Sequence, residues 1–150
     1  MGTGAGLSYA GLGATHHSLD DLGALSLLPN MQVLAPCDQV EVGALLRAAI
    51  KSRKPTYIRL GKKGEPILHQ SPLDAQVGRV IEICSGEKVL IVGVGNMVSE
   101  CRDAANIFKE SFGIQPEIIS LASVKPLDED YFEKAFEKFK MIVTVEEHCE

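Results

Sequence analysis

Lys88-Val89-Leu90-Ile91-Val92-Gly93-Val94-Gly95 is a nearly continuous apolar run that ends at glycine and gives way to a segment with helical patterning. A run of this length, rich in β-branched residues and without polar alternation, reads as a strand covered on both faces. Strands of that kind belong to parallel sheets, whose members are joined by helical crossovers. The flanking sequence supplies the crossovers. Downstream, the pattern predicts a helix at about 97–111, a strand at 117–121, a helix at 129–139 and a strand at 141–145. Upstream lie a strand over Arg79–Ile83, strands near 32–35 and 56–60, and helices at about 19–28 and 39–53. The alternation predicts an α/β fold built on a parallel sheet with helices on both faces.

Punctuation supports these elements. Asp38 and Glu41 form an N-terminal capping pair for the second helix, and Pro55 ends that helix and opens the next strand. Asp128, after Pro126, caps the last helix. Ser18 and Asp21 give the S-x-x-[DE] start of the first helix, just before Leu22, Leu25 and Leu28. Gly61-Lys62-Lys63-Gly64-Glu65-Pro66 and Ser71-Pro72 are turn chemistry, so the chain divides into residues 1–62, a linker over 63–77, and residues 78–150.

The 150 residues are 45% hydrophobic and 23% charged, a balance that suits a packed core rather than disorder. The net charge of −5 argues against non-specific nucleic-acid binding. No apolar run approaches membrane-spanning length. Cys37, Cys84, Cys101 and Cys149 are scattered without a C-x-x-C pair, so reduced thiols in a cytoplasmic protein are expected and no zinc site is.

Chemistry concentrates in Gly11-Leu12-Gly13-Ala14-Thr15-His16-His17-Ser18. A glycine-flexible loop delivers two adjacent imidazoles to the start of a helix, where backbone N–H groups favour anions. Imidazole is the side chain best suited to move protons near neutral pH. Arg59, Lys62 and Lys63 close a predicted strand, the place where open α/β sheets bind ligands, and they offer cations for phosphate. Gly93-Val94-Gly95 begins like a dinucleotide fingerprint, but Val98 stands where the third glycine belongs. Strand 117–121 also ends without a ribose-binding carboxylate, so the glycines read as a tight strand-to-helix turn. Asp20, Asp21 and Glu41 read as helix-start charges rather than catalytic acids. Tyr131, Phe132, Phe136 and Phe139 form a core stripe on one helical face. Glu146-Glu147-His148-Cys149 reads as charged residues leaving a strand rather than a metal site, and His69 has no evident companion.

Ala14-Thr15-His16-His17-Ser18-Leu19-Asp20-Asp21-Leu22, followed by Leu28-Pro29-Asn30-Met31-Gln32-Val33-Leu34-Ala35-Pro36-Cys37-Asp38, resembles the pyrimidine-binding domain of transketolases and 1-deoxyxylulose-5-phosphate synthases. Pro55-Thr56-Tyr57-Ile58-Arg59-Leu60-Gly61-Lys62 continues the likeness. Val89–Gly95, Val124-Lys125-Pro126-Leu127-Asp128 and Val143-Thr144-Val145-Glu146-Glu147-His148 resemble the family's C-terminal domain. The resemblance implies the end of a pyrimidine-binding α/β domain followed by a Rossmann-like, mostly parallel α/β C-terminal domain.

It further implies two-carbon ketol transfer between phosphosugars, dependent on thiamine diphosphate and Mg2+. His16 matches the histidine that contacts substrate in the family, and His17 its less fixed neighbour. Lys62 stands where relatives place a phosphate-binding basic residue, usually arginine, and Arg59 is a second candidate of more structural character. Many transketolases carry an aspartate four residues before this histidine to read a substrate hydroxyl. Here that position is Leu12, so donor stereospecificity does not carry over. The glutamate that activates the cofactor, the aromatic clamp for its ring and the diphosphate and metal site belong to upstream parts of the family without counterpart in these residues. The implied partner is therefore an N-terminal cofactor-binding section or subunit, in a homodimer or heterotetramer, and the chain alone is expected to be inactive. Deoxyxylulose-phosphate synthesis and a non-catalytic assembly role are the alternatives.

Overall fold

The computed structural model describes every residue except Lys63, Ser71 and Glu150. Its elements in chain order are β1 (Gly2–Thr3), α1 (Asp21–Ser26), β2 (Gln32–Leu34), α2 (Gln39–Ser52), β3 (Thr56–Leu60), β4 (Ile81–Cys84), β5 (Val89–Gly93), α3 (Met97–Phe112), β6 (Glu117–Ser120), β7 (Ser123–Lys125), α4 (Glu129–Lys138) and β8 (Met141–Val145). Two short 3₁₀ turns, Ala10–Leu12 and Ala14–His16, precede α1.

The strands form two four-stranded sheets, ordered β1-β3-β2-β7 and β4-β6-β5-β8. In the first, β1 and β2 run parallel to β3, while β7 is antiparallel to β2. In the second, β6 and β8 run parallel to β5, while β4 is antiparallel to β6. Each sheet is thus mostly parallel, as expected, with one antiparallel strand. The parallel pairs β2–β3, β5–β6 and β5–β8 are each connected through a helix, as parallel pairing requires, whereas neither antiparallel strand is reached through one.

The apolar run behaves as its composition dictates. Leu90, Ile91 and Val92 are all buried in β5, with helix α3 on one face and α4 on the other. Val98, Cys101 and Ala105 form the buried stripe of α3. A Cβ at Gly93 would come within 2.9 Å of both Val98 Cγ2 and Cys101 Sγ. Glycine there allows close strand–helix packing, as the weak dinucleotide pattern implied. On α4, Tyr131, Phe132 and Phe139 join the core, but Phe136 is 71% exposed and lies off the stripe.

Asp38 caps α2 through Oδ1, which accepts from Val40 N at 2.9 Å and Glu41 N at 2.8 Å. Glu41 reaches back one residue past the cap, where Oε2 accepts from Cys37 N at 2.8 Å. Asp128 caps α4 by accepting from Tyr131 N.

The two halves share their interior. Leu34, Leu45 and Ile58 pack with Ala75, Ile81 and Ala122, and Leu73 and Val77 lie against the same cluster. Lys125 Nζ donates to Ser26 O and Leu28 O, both at 2.8 Å, so a cation meets carbonyls at and just beyond the end of α1. No helix among the described residues is long and apolar enough to cross a membrane.

Candidate active site at the Thr-His-His loop

β1 carries the chain along β3, and Ala5 N still donates to Leu60 O at 3.0 Å. Gly6 and Ser18 then exchange backbone hydrogen bonds at 3.1 and 3.0 Å, closing a loop over residues 7–17. Gly13, at φ 76, separates the two 3₁₀ turns and lets the second one lift Thr15 and His16 outward. Thr15 and His16 are exposed, and Thr15 Oγ1 shares a 3.0 Å hydrogen bond with His16 Nδ1. His17 is half-buried. Its Nε2 is buried without a hydrogen-bond partner among the described residues, and a polar atom so placed calls for one.

Tyr9 organises the loop. Its ring centroid is 6.5 Å from that of His16, tilted at 57°. Lys62 Nζ sits 4.7 Å from the same centroid, a cation–π contact. The imidazole and the ammonium, 46 positions apart in the chain, thus meet one ring. Tyr9 in turn lies over Gly4, where a Cβ would come within 2.6 Å of Tyr9 Cε2. The sequence reading passed over Tyr9; the signal available was the one phenol ring in a loop otherwise built of small and aliphatic residues and the two histidines.

Lys62 also borders a cleft of about 230 Å³ at the ends of β2 and β3, with Cys37, Asp38, Gly61 and Asn96. Strand ends of this kind are where open α/β sheets bind ligands. A larger cleft of about 610 Å³, among Arg47, Lys51, Lys54 and Asp74, lies away from the loop and holds none of the candidates. Lys63, the third cation of the cluster, is outside the described residues.

Arg59 faces inward. It is 3% exposed. Its Nη2 donates to Ser18 O at 2.6 Å and to Glu147 O at 2.9 Å, and its Nε lies 3.2 Å from Asp21 Oδ2. Tyr57 Oη donates to that same Asp21 oxygen at 2.8 Å, and burial together with this bond pushes the Tyr57 hydroxyl up to about 12. The Ser18–Asp21 capping box is therefore not formed. Asp20 stands at the N-cap without a side-chain cap bond. A charge-assisted pairing with a buried guanidinium is stronger than a cap on the backbone, and Asp21 turns to it.

His69 is not the solitary loop residue expected. Its Nε2 lies 2.7 Å from Glu41 Oε1, and Glu41 is wholly buried. Glu41 Oε2 also accepts from Ser120 Oγ at 3.0 Å. Asp38 Oδ2 accepts from Leu68 N and His69 N at 2.8 and 3.0 Å. One carboxylate pair thus joins α2, the 63–77 segment and β6. Cys37, Asp38 and His69 offer ligand atoms within 4.8 Å of one another, the spacing of a metal site. Asp38 already meets four backbone N–H groups and His69 Nε2 meets Glu41, so the cluster is knit as a hydrogen-bond network. Burial, then Glu41, pushes the Cys37 thiol well above its ordinary range. Burial works against the Asp38 charge, but the N–H donors outweigh it and hold this carboxyl below its usual value.

The hydrogen bond to Glu41 raises the His69 pKa against the opposing effect of burial. A raised folded-state pKa gives stability that is fully present below the unfolded value of about 6.5 and lost as pH rises through the folded value. Thermal melting of the wild type and of His69→Gln should therefore differ most near pH 6 and converge above the raised His69 pKa. A difference that grew with pH would assign the contact another origin.

Comparison with known proteins identifies the family. The model for the transketolase pyrimidine binding domain covers residues 1–65, and that for the transketolase C-terminal domain covers residues 78–150. The chain belongs to the transketolase family. It is 32% identical over 149 residues to an apulose-4-phosphate transketolase subunit of Phocaeicola vulgatus, covering 99% of this chain and 47% of that protein. It is 35% identical over 144 residues to the 1-deoxy-D-xylulose-5-phosphate synthase of Natranaerobius thermophilus, covering 93% of this chain and 22% of the synthase. A solved split-gene transketolase described as an inactive β4 tetramer superposes with a TM-score of 0.85 at 32% identity, over 97% of this chain and 46% of that one. This member of the transketolase family spans about half the length of its apulose-4-phosphate transketolase relative.

Proposed function

We propose that this chain is the substrate-binding section of a split, thiamine-diphosphate-dependent transketolase of the cytoplasm, transferring two-carbon ketol units between phosphosugars once joined to a cofactor-binding partner. The sections would be the late pyrimidine-binding part over 1–62, a connector over 63–77 and the C-terminal part from 78. The observation that carries the reading is the meeting of His16 and Lys62 on Tyr9, which puts a proton-handling group and a phosphate-binding cation on one loop face. In this reading His16 hydrogen-bonds the substrate hydroxyls and relays a proton at the reacting carbonyl. The orphaned His17 Nε2 takes a further substrate contact, and Lys62 fixes the phosphate. Arg59, the second phosphate candidate, acts by holding the loop end at Ser18.

In this reading the cofactor is held mainly outside these residues. Residues 1–18 contain no carboxylate, and the Asp38 oxygens nearby are filled by backbone donors. Thiamine diphosphate, which supplies the electron sink when bound, and its Mg2+ would be held mainly by the partner section, in a homodimer or heterotetramer. One relative is itself one subunit of a transketolase, and another is an inactive tetramer from a split gene; both support a partner of this kind.

The test is Lys62→Ala in the assembled enzyme. Loss of a charged hydrogen bond, about 1.5–3 kcal/mol, should lower kcat/KM for phosphorylated sugars by roughly 10–150-fold. Use of hydroxypyruvate, which has no phosphate, should fall far less. Equal losses would make Lys62 structural. A second reading, deoxyxylulose-phosphate synthesis, has the 35% identical synthase in its favour. Turnover of xylulose 5-phosphate against condensation of pyruvate with glyceraldehyde 3-phosphate separates the two.

A further inference from the structure

The segment after β8 does not simply leave the sheet. It crosses to the first half and meets the start of the Thr-His-His loop and its flanking segments at four points. Glu147 Oε1 accepts from Leu7 N at 3.3 Å, at the loop's start. Glu147 O accepts from Arg59 Nη2, which also holds Ser18 O at the loop's end. Cys149 N donates to Leu19 O at 2.8 Å, one residue further on. His148 Nε2 lies 3.1 Å from Gly23 N in the first turn of α1, and its Nδ1 lies 2.8 Å from Cys149 O. The fit is close: a Cβ at Gly6 would strike the Glu147 side chain, and one at Gly23 would come within 3.1 Å of His148 Cε1.

The partners of His148 fix its chemical state. A carbonyl oxygen only accepts, so Nδ1 carries the proton that binds Cys149 O. A backbone N–H only donates, so Nε2 must offer its lone pair to Gly23. Imidazolium bears hydrogen on both nitrogens and would set N–H against N–H at α1. The strap is therefore complete only while His148 is neutral. The titratable and charged groups on the segments joined here are Asp20 and Asp21 at the start of α1, Arg59 on β3, His16 and His17 in the loop, and Glu146 and Glu147 in the strap itself. Asp21 and Arg59 are paired to each other.

We propose that His148 is a positioning residue for the Thr-His-His loop: in its neutral form it caps α1 at Gly23 and, with Glu147, holds both ends of the loop that presents His16 and His17. The consequence for catalysis rests on the function proposed above, whereas the strap is testable without it. The experiment is amide hydrogen exchange on the 150-residue chain from pH 8 to pH 5, corrected for intrinsic rates, in wild type, His148→Gln and His148→Ala. Gly23 in the wild type should lose about tenfold of its protection on acidification. His148→Gln, whose side-chain carbonyl accepts at the same reach and does not titrate, should keep Gly23 protected across the range. His148→Ala should leave it unprotected throughout, with β5 amides unchanged as the control for folding. Equal Gly23 protection in wild type and His148→Ala, or protection in the wild type that is flat with pH, overturns the proposal. With the partner present, His148→Gln should move the acid limb of kcat against pH that the wild type shows. An exchange result as expected with no kinetic effect of His16 would leave the strap standing and remove the active-site reading.

Discussion

The purified 150-residue chain, supplied with thiamine diphosphate and Mg2+, is expected to show no measurable ketol transfer. Transfer of a two-carbon unit needs a carbanion, and no amino-acid side chain stabilises one as the cofactor does. The family likeness places the glutamate that activates the cofactor upstream of the Thr-His motif, and residues 1–18 carry no carboxylate. In the proposed division this chain supplies the substrate's contacts, with an imidazole and an ammonium about one aromatic ring. Adding a cofactor-binding partner section should bring activity from background to a measurable rate, read by coupled assay of the aldose product. Turnover by the chain alone at the rate of the assembled enzyme would overturn both this expectation and the division of labour behind it.

In that assembled enzyme, His16→Ala is expected to lower kcat/KM by about 10²–10⁴-fold, the range of a lost general acid or base. The fold should be untouched. His16 is exposed, and its one side-chain hydrogen bond among the described residues is to the neighbouring Thr15. A surface substitution of this kind changes stability by less than about 0.5 kcal/mol. Cofactor affinity should also hold, because the proposed function puts its ligands in the partner section. His17→Ala is expected to have a smaller effect. Steady-state kinetics, cofactor titration and thermal melting of both variants make the test. Unfolding of His16→Ala, or full activity in it, would return the loop to an ordinary surface turn. A larger loss in His17→Ala would move the catalytic role to the imidazole whose Nε2 is buried and unmatched.

Much of this was legible in the sequence because the signals were local. Leu90, Ile91 and Val92 announced a doubly covered strand, and Asp38 with Glu41 announced the start of α2; both are set by residues within one element. The Thr-His-His loop and Lys62 could each be found alone, but not their meeting, because Tyr9 joins them through contacts over many residues. β7 escaped because three residues with one apolar member carry no periodic signal; its place is set by pairing with β2. Ser18 and Asp21 looked like a cap until a buried Arg59 competed for the carboxylate. His69 looked solitary because its partner, Glu41, is 28 residues away, and a buried carboxylate must find a cation or donors. Phe136 shows the reverse error: helical spacing put it near the stripe, yet α4 turns it to solvent.

The strand Ser123–Lys125 has a consequence for the order in which this protein is made. It completes the first sheet beside β2, whose residues leave the ribosome roughly ninety positions earlier. Until it emerges, the side of β2 that it covers is an open edge, and Ala35 N lacks Ala122 O as its acceptor. The amino-terminal half is thus a nascent chain that must wait, exposed, for a piece of the second half to arrive, and the closing of so long a loop slows its completion.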